Sequence, residues 1–265
     1  MRRGWLLLAL VVLLLAACGD DDKDGGGSQL GLFDWSRAPD SIVVRLDNRP
    51  LEDSPASLLN SIPPCTLWGD GRVVWTTVGE YGAEDILEAR VADDAVIRAF
   101  LEDIIGRGFY EWEDELILSS EVSPVIESIT VSLYNETRTV RRYSSWPQNS
   151  YSHILERCER LSSTPVRVLP AAGWVSAYEI PRDSAAPSWL WPPDAPFTLR
   201  ELAASQEERW LEHQLATDIW LSARERQGNM QVVERGGAAY QVAIVVPGYS
   251  RDAAAAPAEA TNPSS

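Results

Sequence analysis

A chain of 265 residues with 39 acidic and 23 basic side chains carries a formal charge of −16. That balance speaks to partners rather than fold, and it disfavours a nucleic-acid face, because a phosphate backbone rewards clustered Lys and Arg. The stretch from Leu30 to Pro247, about 220 residues, is long enough for one large domain or two small ones.

The amino terminus places Arg2 and Arg3 before an unbroken apolar run from Trp5 to Ala17. Thirteen helical residues reach about 20 Å, whereas a bilayer core takes ~20 residues to span. Two arginines, a short apolar core and small residues at its end fit a cleaved export signal. With Leu15-Ala16-Ala17-Cys18 at its end, the leader resembles a bacterial lipoprotein signal. The resemblance implies cleavage before Cys18, lipidation of its thiol and a membrane-lipid partner held through acyl chains on the extracytoplasmic side of the cell envelope. An ordinary signal peptide ending beside an incidental cysteine is the alternative. Residues 1–17 are thus read as signal peptide. Residues 18–29, with Asp20, Asp21, Asp22 and Asp24 before Gly25-Gly26-Gly27-Ser28, are read as a flexible acidic tether that buries nothing. Without the leader, 21 basic residues face 39 acidic ones, about −18.

In the body, Ile42–Leu46 alternates apolar residues as a short strand does, and prolines 50, 55, 63 and 64 make 47–64 loop-like. Cys65–Trp68 and Arg72–Trp75 flank Gly69-Asp70-Gly71, a hairpin signature in which Asp70 is a turn residue rather than a catalytic acid. A third strand is expected at Ile86–Val91. A helix capped by Asp93 or Asp94 follows, its stripe made by Val96, Ile97, Phe100, Leu101, Ile104 and Ile105. Ser128–Leu133 and Thr137–Tyr143 form a second hairpin. Arg138, Arg141 and Arg142 read as an ordinary charged sheet face. Tyr151, Ile154, Leu155, Cys158 and Leu161 share one helical face.

The strand, Gly-Asp-Gly turn and aromatic-ended strand, followed by a helix and another hairpin, resemble secreted bacterial domains of unassigned function over about residues 65–160. The resemblance implies a small α+β domain and transfers no functional residues. The fold class expected is α+β, antiparallel β-hairpins packed against a few helices. Residues 30–162 form one α+β domain, 163–250 a smaller α+β subdomain and 251–265 a disordered tail. In an oxidising compartment Cys65 and Cys158 form a disulfide pair, with two buried thiols as the alternative.

Beyond residue 162, Val166–Leu169 and Trp174–Ile180 look like strands. Residues 182–197 are proline-rich and hold Trp189-Leu190-Trp191. These rings read as a rigid connector, and Trp189 and Trp191 are also the candidate binding surface for an envelope protein or glycan partner. Thr198–Arg226 is the longest helical region, one helix or two, with Thr198 and Glu201 spaced as a capping box. A last hairpin joins Gln231–Glu234 to Ala238–Val246.

No glycine-rich phosphate loop, nucleophile elbow or zinc-protease helix occurs, so no catalytic residue, cofactor or metal is assigned. His213 with Glu212 or Asp218 could form a base pair, though an ordinary surface helix shows the same residues. The leading expectation is a membrane-tethered extracytoplasmic protein, binding or envelope-associated, without enzymatic activity and without nucleic-acid partners. The alternative is a carboxylate-based hydrolase of envelope glycans, which needs two of Glu111, Asp114, Glu115, Asp183 and Asp194 in one cleft.

Overall fold

The computed structural model describes residues 33–51, 53–78, 84–116, 125–134, 136–143, 145–225, 230–251 and 254–257. The leader, the tether and most of the expected tail lie outside the described residues.

The hairpin around Asp70 sets the centre of the first sheet. Strands β2 (Cys65–Trp68) and β3 (Arg72–Val78) pair antiparallel, Cys65 opposite Trp75. Gly71 holds φ +83°, which a side chain resists. Asp70 fixes the turn: its carboxylate accepts the Arg72 N–H at 3.1 Å and pairs with Arg90 at 2.9 Å. Gly69 is needed for space, since a Cβ there would stand 1.9 Å from the Ser36 carbonyl oxygen.

Around this hairpin lie β1 (Ile42–Pro50), β4 (Glu84–Arg90), β5 (Val125–Leu133), β6 (Glu136–Arg142) and β7 (Val166–Arg167), in the order β6-β5-β1-β2-β3-β4-β7, every pairing antiparallel. β1 outruns its expected end at Leu46. Pro50 is tolerated because it closes the strand, opposite Val125. The loop expected after it contains helix α1 (Pro55–Asn60), capped by Ser54, whose side chain accepts from the Ser57 N–H.

Helices α2 (Asp94–Gly106) and α3 (Ser150–Glu159) cover one face of this sheet. The Asp93 carboxylate accepts the Ala95 N–H at 2.8 Å and starts α2. Ile97, Phe100, Leu101 and Ile104 are fully buried along its stripe, each contributing about 2 kcal/mol by leaving water. Cys158 on α3 is joined to Cys65 on β2 as a disulfide, with Cα atoms 6.5 Å apart.

The second sheet follows the order β10-β8-β12-β11-β9. Its members are β8 (Ala172–Ile180), β9 (Ser188–Leu190), β10 (Arg209–Glu212), β11 (Gln231–Val233) and β12 (Ala239–Val245). β9 and β11 run parallel, and the other pairs are antiparallel. Helices α4 (Leu199–Ser205) and α5 (Gln214–Glu225) belong to this half. The helical region expected over 198–226 is therefore interrupted by a strand. Gln206 at φ 55° and His213 at φ 69° break it on either side of β10.

The two halves share material. Along β2 and β3, Cys65, Leu67, Val73 and Trp75 enter the core under α2 and α3, whereas Trp68 and Val74 enter the core of the second sheet. Period-two alternation thus buries the central strands on both faces. Ile62 and Ile86 also join the second core. From Trp35 onward the chain forms one compact unit.

Candidate functional site

The second sheet carries two open clefts, one at each end of the short strand β10. The first lies at its carboxyl end. Here Glu212 closes the strand, His213 turns the chain with its left-handed backbone, and α5 begins at Gln214. Histidine is a residue that tolerates this conformation better than β-branched ones. Facing that corner is the proline-rich connector, which contributes Pro192, Asp194 and Pro196. The walls enclose about 640 Å³, within the range of small-molecule sites.

Among the described residues, Asp194, Glu212 and Asp218 line it beside Trp210 and His213, with no Lys or Arg. Two are pre-set by neutral partners: the Trp210 indole N–H donates to Glu212 at 2.9 Å, and the Gln214 amide donates to Asp218 at 2.8 Å. Neither contact neutralises the charge. Trp210 is steadied by an edge-to-face contact with Trp174, centroids 5.3 Å apart. The site therefore combines negative charge with an aromatic wall. Among the described residues no group of three His, Cys, Asp or Glu side chains is arranged to hold a metal ion.

The second cleft lies at the amino end of β10, between β8 and α4. Ser176, Ala177, Tyr178 and Glu179 form one wall; Arg200, Leu202, Ala203, Ala204, Gln206 and Glu207 form the other, around about 520 Å³. Thr198 builds the helix wall through a complete capping box. Its hydroxyl accepts the Glu201 N–H at 3.1 Å, and the Glu201 carboxylate accepts the Thr198 N–H at 3.2 Å. The Thr198 backbone N–H, and then its hydroxyl, hold the Glu201 carboxyl below its ordinary value.

The residues singled out from sequence fall in different places. Trp191 is only 4% exposed; its indole N–H donates to the Phe197 carbonyl at 3.0 Å inside the second core. Trp189 is half-buried and packs edge-to-face on Trp191. Their segment forms strand β9 beside β11, so the connector is partly sheet. A small cavity beneath Trp189, about 40 Å³, is bounded by Asn60, Ile219 and Met230. Of the five candidate acids, only Asp194 lines the first cleft. Asp114 pairs with Arg141 at 3.4 Å, Glu115 pairs with Arg142, and Asp183 accepts the Ala185 N–H at 2.8 Å. Glu111 is exposed on a short 3-10 turn.

His153 bonds Asp103 at 3.1 Å, and Asp103 also faces Arg107 and Arg157. The acidic cleft is only partly legible in the sequence. Glu212, His213 and Asp218 are neighbours in sequence, but nothing local brings Asp194 to them.

The chain matches no protein-family model, no curated protein and no solved structure.

Proposed function

We propose that this chain is a lipid-anchored, extracytoplasmic binding protein whose acidic cleft beside β10 takes a small organic cation. The observation that carries the ligand class is the cleft wall itself: Asp194, Glu212 and Asp218 with Trp210, and, among the described residues, no basic side chain but His213. A protonated amine would gain from the carboxylates and from the face of the indole, worth about 1 kcal/mol for the ring at an accessible site. The leader supplies the address: Cys18 follows Leu15-Ala16-Ala17, and several acyl chains hold a membrane where one gives marginal binding.

Two experiments test the halves separately. Fatty-acid labelling of the expressed chain should mark the protein, and Cys18→Ser should abolish the label; a labelled C18S chain would remove the anchor from the account. Tryptophan fluorescence of the soluble body, titrated with spermidine and with choline, should saturate. The E212Q/D218N variant should bind about tenfold more weakly, the loss of roughly 1.4 kcal/mol. An unchanged curve would remove the cleft. The hydrolase alternative called for two of Glu111, Asp114, Glu115, Asp183 and Asp194 in one cleft, and Asp194 alone of the five lines this one, beside Glu212 and Asp218. Release of chromophore from aryl glycosides, lost in D194N, would favour it over binding alone.

A further inference from the structure

Strand β8 is nine residues long, and its two sides are covered unequally. On one side β12 pairs with it from Trp174 to Ile180. On the other side β10 pairs only with Ala172 to Val175. Past Val175 the chain of β10 is absent because Gln206, at φ 55°, ends α4 and directs the connection away until Arg209. Among the described residues no hydrogen bond is made to the outer edge of Ser176–Ile180. Buried or recessed backbone groups without partners cost free energy, and sheet edges are ordinarily covered or blunted.

This edge opens into the second cleft. Four consecutive residues, Ser176 to Glu179, line it. Successive side chains of a strand point to opposite faces, so a cleft touching all four lies against the strand's edge and not against one face. The opposite wall is α4, where Ala203 and Ala204 present small side chains. Beside this edge the buried Ser176 hydroxyl has no hydrogen-bond partner among the described residues.

We propose that the edge of β8 at Ser176–Ile180 is a docking groove for an extended, basic segment of a partner polypeptide, which adds as a strand in line with β10 and against α4. Backbone pairing would supply affinity, and side-chain positions would supply selectivity, as in strand addition generally. Five residues of strand give the occupant a footprint about 16 Å long. The basic character follows from the rim. Glu179 and Glu207 are both exposed on it, Arg200 is its one cation among the described residues, and the whole chain is −16. A second copy of this chain fits poorly on two counts. It carries the same acidic charge, and its own β8 edge is recessed beside its own α4, so two such grooves cannot nest. The groove does not depend on the amine-binding reading, since it lies at the other end of β10.

The test uses the folded chain and a defined probe, a peptide of alternating lysine and valine, with an acidic counterpart of glutamate and valine. Amide NMR spectra should shift at Ser176–Ile180 and along α4 with the basic peptide and stay unchanged with the acidic one. The same basic peptide N-methylated at alternate residues keeps its charge but loses backbone donors, and should bind about tenfold more weakly. Ala204→Trp, at an exposed helix position, should fill the groove and weaken binding comparably. E179Q/E207Q, a surface change that leaves the fold alone, should lower affinity in low salt and flatten its salt dependence. Absence of saturable binding up to about 1 mM, equal binding of the N-methylated peptide, or shifts confined to the Glu212–Asp218 corner would each overturn the proposal. So would a concentration-dependent dimer of the free chain that A204W disperses, because the groove would then belong to a second copy.

Discussion

Tyr249 shows how one side chain makes stability depend on pH. Burial, then the hydrogen bond it donates to Glu88 at 2.8 Å and the charge of that carboxylate, push its phenol up to about 12, against the opposing pull of Arg72. In the unfolded chain the phenol ionises from its ordinary value of 10.0. Between those two values the unfolded state has released a proton that the folded state retains, so stability falls as pH rises through this window. Tyr151 is shifted in the same direction, chiefly by burial. Urea denaturation on either side of pH 10 should show that decline, and Tyr249→Phe should reduce its slope without removing the share due to Tyr151. An unaltered slope in Y249F would mean that the phenol does not feel Glu88 and burial as the structure has it.

At the scale of elements, α4 depends on its first turn. Seven residues form a helix too short to persist alone, so its reciprocal cap and the burial of Leu199 and Leu202 hold it in place. Thr198→Ala should cost about 1 kcal/mol, read as a lowered urea midpoint, while Thr198→Ser should restore most of it. Equal stability of the Ala variant would show the cap to be redundant.

The elements also explain what the sequence could reveal. The hairpin at Asp70, the helix after Asp93 and the pair of strands around residue 135 are local structures, specified by turn chemistry and by apolar period. β10 is different. Leu211, Leu215 and Ile219 recur every four residues, as on a helix, yet Leu211 belongs to a strand paired with β8. The breaks beside it use Gln206 and His213 in the left-handed region, where no glycine announces a turn. β9 is equally hidden, because three residues among prolines acquire strand form only through a parallel neighbour more than forty residues away. The acidic cleft depends on those same two misjudged stretches. Its residues were legible one by one, but their meeting was not.

For the whole molecule, the disulfide ties the centre of the first sheet to helix α3. It closes a loop with a sequence separation of 93, for which loss of unfolded-chain entropy contributes about 4.6 kcal/mol. Intact mass of the non-reduced chain should rise on reduction, and Cys65→Ser/Cys158→Ser should unfold at markedly lower urea. An unchanged mass would leave two buried thiols. The sharing of β2 and β3 between both cores implies that such a loss spreads to the second sheet, so probes in Trp75 and Trp220 should report one transition.

The measurement that bears most directly on function is the calorimetric titration of spermidine into the folded chain, beside the E212Q/D218N variant at matched stability. Binding should saturate at one site, about tenfold weaker in the variant and weakened by salt as charge recognition should be. Equal affinity in the two proteins, or no saturation in either, would contradict the amine-binding reading.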